Sequence, residues 1–220
     1  MEQSWNNGEF VEHYNKVYLM KSDEISDYLS NLNLCQDDVF VDFGCGSGDV
    51  LLEASKTVKL AVGVDVSPDQ LESARKKAEG IENIRFIESN LLSYDPGELV
   101  FTKASARKSL HHLTDDEKIM FIKKISPYFK KDSLFLMEDG IFSFDISEKE
   151  KRMPQIISEA EIHFGQKWND IKEDFTHCIL REFVTGINLW EKAFESGGFR
   201  IVEKTHVNCF YARIVAKKVI

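Results

Sequence analysis

Three glycines at alternate positions, Gly44, Gly46 and Gly48, follow the apolar run Val39-Phe40-Val41-Asp42-Phe43 and enclose Cys45. After them Asp49 and the run Val50, Leu51, Leu52, Ala54 restart the chain as a helix. A strand, glycine loop and helix in that order bring backbone N–H groups close to a ligand that tolerates no Cβ between. Asp65 closes the next apolar run, Leu60-Ala61-Val62-Gly63-Val64. An acid at the tip of the neighbouring parallel strand is placed to take two ribose hydroxyls. The dinucleotide fingerprint spaces its glycines G-x-G-x-x-G. Here they read G-x-G-x-G with Asp42 two residues before the first, and that spacing argues against a nicotinamide-dependent oxidoreductase.

A second set of residues could move protons or hold charge. His111 and His112 stand side by side, and histidine titrates in the range a general base needs. A surface pair at a helix start is the structural alternative. Arg107, just before them, could hold an anionic substrate or form an ordinary surface ion pair. Glu138 and Asp139 end an apolar run, where they could bind a cationic substrate, act as base, or cap a turn. No Cys/His ligand spacing is visible, so no metal is expected.

The elements that must position these groups alternate strand and helix. Residues 1–35 carry Phe10, Tyr14, Tyr18, Ile25, Tyr28, Leu29 and Leu32 at helical spacing, which predicts two short helices ahead of the core. Ser67, Pro68 and Gln70 open a helix running to about Glu79. Asn83 to Ile87 reads as the third strand, Phe101 to Ala106 as the fourth and Ser133 to Gly140 as the fifth. Between the last two, Thr114-x-x-Glu117 is a capping box for a helix ending near Pro127. Residues 141–185 form a charged helical segment opened by Ser147-x-x-Glu150, with His163, Phe164, Trp168, His177, Arg181 and Glu182. A helix through Trp190 and Phe194 then leads to strands at Phe199–Thr205 and Asn208–Lys217, the last expected to run antiparallel.

Val41-Asp42-Phe43-Gly44-Cys45-Gly46-Ser47-Gly48 resembles the first motif, [V/L]-D-x-G-C-G-x-G, of class I S-adenosylmethionine-dependent methyltransferases. Leu110-His111-His112-Leu113 resembles the small-molecule branch of that family, and Gly197-Gly198-Phe199 fits as well. The match spans roughly residues 36–140 and 187–217. It implies a Rossmann-like α/β three-layer sandwich with a mostly parallel seven-stranded sheet whose last strand is antiparallel. Residues 1–35 would form an N-terminal helical cap, and 36–220 the methyltransferase domain with a helical lid inserted at about 141–185.

The resemblance also implies a cofactor, S-adenosylmethionine, released as S-adenosylhomocysteine. Its methionine part would meet the Gly44–Gly48 loop with Cys45, and the carbonyl of Ala106, with Asp42 orienting the loop or the amino group. Asp65 and Val66 would meet the ribose, Asn90 the adenine amine and the Leu91 N–H adenine N1; Arg107 counts among the cofactor-binding residues too. The leading segment folds over the cofactor in such enzymes, which makes Tyr14 and Tyr18 pocket residues; core aromatics of an amphipathic helix are the alternative. Two positions depart from the pattern, Asn90 and Thr102, where Asp is usual. An [N/D]-P-P-[Y/F] sequence, the signature of base and glutamine N-methylation, is absent.

With 220 residues, 43% of them hydrophobic, the chain suffices for one domain with a lid. A formal net charge of −9 weighs against a long nucleic-acid substrate. Four cysteines without a pairing pattern, and neither a leader nor a membrane-length apolar run, fit a cytoplasmic protein, monomer or homodimer. The leading expectation is methyl transfer to O or N of a small metabolite. An RNA or protein methyltransferase and a non-catalytic cofactor-binding subunit are the alternatives.

Overall fold

The computed structural model describes residues 20–220. Tyr14, Tyr18 and the first expected helix lie outside the described residues. Helix α1 (Ser22–Ser30) precedes β1 (Val39–Phe43), α2 (Asp49–Ser55), β2 (Leu60–Asp65), α3 (Pro68–Lys77) and β3 (Ile84–Glu88). The chain continues through β4 (Phe101–Arg107), α4 (Asp115–Ile125) and β5 (Phe129–Phe142). The insertion follows as α5 (Lys149–Phe164) and α6 (Trp168–Arg181), and a two-residue strand β6 (Thr185–Gly186) leads into α7 (Ile187–Ser196). Strands β7 (Phe199–Asn208) and β8 (Tyr211–Lys218) complete it.

The strand order is β3-β2-β1-β4-β5-β8-β7, with β6 paired to the end of β5. Strands β1 to β5 run parallel, and β8 is antiparallel to both neighbours. Burial explains the order. Strands β1 and β2 are apolar along almost their whole length because helices cover both faces, whereas the edge strands β3 and β7 expose much of theirs. On one face Val41, Phe43, Val62, Ala104, Phe135 and Met137 pack against Phe121 and Ile122 of α4 and Trp190 and Phe194 of α7. On the other, Phe40, Ala61, Leu136 and Val215 meet Ile25, Tyr28 and Leu29 of α1 and Leu51 and Ala54 of α2. Period-two alternation on the strands sends successive side chains to these two layers.

The insertion has a core of its own. Phe142 and Phe144 at the end of β5 pack with Ile156 and Ala160 of α5, Phe175 and Ile179 of α6, Val184 and Phe210. Three hydrogen bonds moor it: Phe183 N–H donates to His111 O at 3.0 Å, Ile141 N–H to Phe210 O at 2.9 Å, and Cys209 N–H to the side-chain Oε2 of Glu159 at 2.7 Å.

Two boundaries differ from expectation. Strand β5 starts at Phe129, not Ser133, because Phe129 already pairs with Phe101 before the register jumps. Asp132, at φ +71°, turns the chain through that irregularity. The insertion opens on Asp145, which accepts from Ser147 N–H at 3.0 Å, so Ser147 is capped instead of capping. The N-cap at Ser67, which accepts from Gln70 N–H, and the capping box at Thr114, with both reciprocal bonds, form where the spacing places them. Among the described residues no helix is long and apolar enough to cross a membrane.

Candidate active site

The parallel strands end on one side, and two cavities open there. The first, of about 430 Å³, is lined by Gly44, Gly46, Asp65, Val66, Gln70, Asn90, Leu91, Arg107 and Ser109 among others. Its floor is the loop after β1, whose Gly44 and Cys45 N–H groups donate to Val64 O at 2.8 and 3.1 Å. Each glycine serves a different need. A Cβ on Gly44 would stand 2.3 Å from Ser109 Cβ, so that residue admits the turn after β4. A Cβ on Gly46 (φ +50°) would meet only the Gln70 side chain, at 3.8 Å or more. That position is a cradle left open toward the cavity. Gly48 (φ +79°) lets α2 start against Ala74 and Phe86.

Asp65 ties this floor to the next strand. Its Oδ2 accepts from Gly46 N–H at 2.8 Å and its Oδ1 from Ser67 N–H at 2.9 Å. Burial raises its pKa, with the backbone N–H groups pulling the other way. With backbone N–H groups of Gly46, Val66 and Ser67 on the carboxylate, acceptor capacity remains for a hydroxyl in the cavity. Asn90 Oδ1 accepts from Leu92 N–H at 2.8 Å and so shapes the loop after β3.

Four of the expected cofactor residues do not line this cavity. Asp42 lies beneath the loop, its carboxylate taking the Ser105 hydroxyl proton in a hydrogen bond. Burial, with Asp65 nearby, raises it to about 7 against the pull of Ser105 and Arg107. Cys45 turns its thiol onto Gly63, where a Cβ would be 2.7 Å from the sulfur. Gly48 faces α3, and the Ala106 carbonyl accepts from Tyr28 Oη at 3.4 Å. Gln70, Ser109 and Phe183 line the cavity without having been expected there. Gln70 sits at N3 of α3, so its capping signal masked its place above Gly46.

The second cavity, of about 180 Å³, lies under the insertion, between Lys108, His111, His112, Asp139 and Glu182 on one side and Phe164, Phe175, Phe210 and Tyr211 on the other. Lys108 and His112 line both cavities and mark where they meet. Lys108 takes a left-handed conformation (φ +50°), and burial followed by the Arg107 charge lowers it to about 7.

At that junction the two histidines and two carboxylates interlock. Asp139 is fully buried. Its Oδ2 accepts from the N–H groups of Ser109, Leu110 and His111 at 3.3, 2.9 and 3.2 Å, and its Oδ1 is bonded to His111 Nδ1. His111 Nε2 faces Glu182 Oε2 at 3.2 Å, and His112 Nδ1 faces Glu182 Oε1 at 3.5 Å. Burial alone would lower the His111 ring, but Asp139 and then Glu182 outweigh it and hold it at about 10. Burial and the neighbouring His111 charge push His112 down to about 4.

Glu138 has a different place from the one its sequence position suggests. It accepts from Arg107 Nε at 3.0 Å, Arg213 Nε at 2.8 Å and Tyr211 Oη at 3.1 Å. Two guanidinium groups overcome the burial cost and lower its pKa. Neither Glu138 nor Asp139 offers a free carboxylate to a cationic substrate, since each is committed to protein donors. Glu182 was visible only as one acid in the insertion, because nothing local ties residue 182 to residue 111.

The comparisons agree with this geometry. A family model described as "Methyltransferase domain" matches residues 40–132. An uncharacterized methyltransferase of Oceanobacillus iheyensis is 27% identical over 208 residues, 93% of this chain and 87% of the relative. An S-adenosylmethionine-dependent methyltransferase from Clostridium acetobutylicum superposes with a TM-score of 0.70 at 13% identity, over 96% of this chain and 98% of that one. The YcgJ protein of Bacillus subtilis gives 0.67 at 15% identity, over 89% and 98%. An open glycine cradle, an acid at the β2 tip and a sheet ordered 3-2-1-4-5-8-7 with one antiparallel strand fit S-adenosylmethionine. The chain has the class I, Rossmann-like S-adenosylmethionine-dependent methyltransferase fold.

Proposed function

We propose that the protein methylates an O or N atom of a small molecule bound in the cavity under the insertion. The observation that carries this reading is the meeting of the two cavities at Lys108 and His112. One cavity has the shape and donors for the cofactor, and the other adjoins it through a shared wall. Residues 141–185 would then act as the lid and residues 1–35 as a cap over the cofactor. Bound S-adenosylmethionine supplies an activated methyl group, which leaves its sulfur with the bonding pair remaining on sulfur as the acceptor's lone pair forms the new bond.

The chain's own contribution is alignment and exclusion of water. Gly46 and its neighbours would lie against the amino-acid part, Asp65 would take the ribose hydroxyls, and Asn90 and Leu91 would meet the base. Asp42 would act from below, through the loop it supports. Aromatic walls at Phe164, Phe175 and Phe210 suit a flat, largely apolar acceptor. We assign His111 and His112 to the acceptor end of the reaction. A cavity of about 180 Å³ and a net charge of −9 favour a compact metabolite over RNA or protein.

Methyl-labelled S-adenosylmethionine offered with separate pools of small hydroxyl and amine compounds, transfer RNA and unfolded protein tests the reading. Label in a small-molecule pool, reduced at least tenfold by Asp65→Ala, is expected. Label in RNA or protein alone would overturn the choice of acceptor. Calorimetry showing no S-adenosylhomocysteine binding would overturn the cofactor assignment as well.

A further inference from the structure

The junction between the cavities carries more than a proton-transfer pair. His111 and His112 come from the turn after β4, and Glu182 comes from the residue that ends α6. The insertion thus delivers one oxygen donor to two imidazoles that the sheet holds in place. One nitrogen of each imidazole and a Glu182 oxygen lie within 4.8 Å of one another. The two measured nitrogen–oxygen separations are 3.2 and 3.5 Å. Ligand atoms about 2.0–2.1 Å from a tetrahedral zinc ion stand roughly 3.3 Å apart. The two nitrogen–oxygen separations, which reach different oxygens of Glu182, are near that value, and one nitrogen of each imidazole lies within 4.8 Å of the other.

The outer partners agree. A metal-bound imidazole commonly donates its other N–H to a carboxylate, which fixes its tautomer and orientation. Asp139 makes that bond to His111 Nδ1 and is itself locked by three backbone N–H groups. His111 therefore presents Nε2 to Glu182 and has no freedom to turn away. Two imidazoles and one carboxylate suit zinc, cobalt or iron, whereas magnesium and calcium prefer sets of oxygen atoms. The ammonium of Lys118, the nearest competing charge from α4, is held by the carbonyls of Leu113 and Phe183.

We infer that His111, His112 and Glu182 bind a divalent transition-metal cation of the zinc type where the two cavities meet. Three protein ligands leave a fourth position open, and a position beside His112 borders both cavities. A cation there would draw an acceptor oxygen or nitrogen toward the cofactor side and make its proton more acidic. In that state the imidazoles are ligands, and the acidified acceptor would lose its proton to solvent water before the methyl group is transferred. Binding of the cation stands on the side-chain geometry alone; its part in methyl transfer rests on the acceptor reading above.

Cobalt(II) is the probe, because a tetrahedral cobalt site has a visible absorption that hexaaqua cobalt lacks. Chelator-stripped protein is titrated with cobalt chloride, then with zinc and magnesium chlorides as competitors. One equivalent of tetrahedral cobalt, displaced by zinc and untouched by magnesium at equal concentration, is expected. Glu182→Gln and His112→Gln should each weaken it at least tenfold, and His206→Gln, on an exposed strand, should leave it unchanged. Urea denaturation midpoints within the parent's range show that the two weakened variants are folded. Absence of the band, or a band that survives both substitutions, would overturn the site and leave an imidazole–carboxylate ion pair. Cobalt binding without S-adenosylhomocysteine binding would instead count against the cofactor reading and leave the metal site standing.

Discussion

Asp139 holds His111 from two directions at once, through the ring nitrogen Nδ1 and through the backbone N–H of the same residue. One carboxylate at the end of β5 therefore fixes both the turn after β4 and the imidazole that the turn carries. Removing it leaves four backbone N–H groups, those of Ser109, Leu110, His111 and Gly140, and a charged ring without their acceptor in a fully buried place. Asp139→Ala should lose about 3–5 kcal/mol of unfolding free energy, the usual cost of breaking a buried charged pair. Asp139→Asn keeps one acceptor oxygen and should lose about 1–3 kcal/mol. Urea denaturation of the three proteins checks the order; equal midpoints would contradict the network described.

The glycines of the first motif separate fold from ligand. Alanine at either Gly44 or Gly46 must adopt a positive φ, at a cost of about 1–2 kcal/mol. Only at Gly44 does the new Cβ collide with protein, 2.3 Å from Ser109 Cβ. Gly44→Ala should therefore unfold at clearly lower urea concentration than Gly46→Ala. Gly46→Ala should stay folded and lose at least tenfold in S-adenosylhomocysteine affinity, about 1.4 kcal/mol. Calorimetry beside denaturation reads both. Unchanged affinity in Gly46→Ala would remove the cofactor from that part of the cavity.

Asp42 makes stability depend on pH in a direction opposite to the usual carboxylate. Burial raises its folded pKa to about 7 from an ordinary value of 3.8. Between those values the folded protein holds a proton that the unfolded chain has lost, so stability falls as pH rises through the window. The contribution is fully present below about pH 4 and gone above about pH 7, and its size is on the order of 4 kcal/mol. Asp42→Asn should flatten the slope, so that the variant gains on the parent between pH 5 and pH 8. Denaturation midpoints at those two pH values measure it; parallel slopes would show that Asp42 is already ionised at pH 5.

How far the sequence speaks follows from where each constraint lies along the chain. The loop from Gly44 to Gly48, Asp65, the N-cap at Ser67 and the capping box at Thr114 are local patterns, and the structure builds the turns and helices that they specify. The antiparallel β8 was legible as well, since a short connection from β7 forces a hairpin. Glu182 was not, because its partners His111 and His112 are brought to it by tertiary packing of the insertion on the sheet. Glu138 misled for the same reason. Its position at a strand end suggested a substrate, but Arg213 arrives from β8 and Arg107 from β4 to neutralise it. Asp145 took the cap expected of Ser147 because its Oδ1 accepts from both the N–H and the hydroxyl of Ser147 and so ties up the side chain that would have capped.

Thr102 shows how a departure from a family pattern can lie away from the chemistry. It pairs beside Val39, at the end of the sheet opposite the glycine loop, where its hydroxyl donates to Asp38 Oδ1 at 2.7 Å and accepts from Val39 N–H at 3.0 Å. Asp38 is buried, so an aspartate at 102 would set two carboxylates within contact distance. Thr102→Asp should lose about 1–3 kcal/mol in urea denaturation, since it replaces a hydrogen-bonded hydroxyl with a second carboxylate beside Asp38. S-adenosylhomocysteine affinity should stay within about twofold of the parent, a change of about 0.4 kcal/mol. A larger loss of affinity, with stability unchanged, would mean that position 102 communicates with the cofactor cavity along β4.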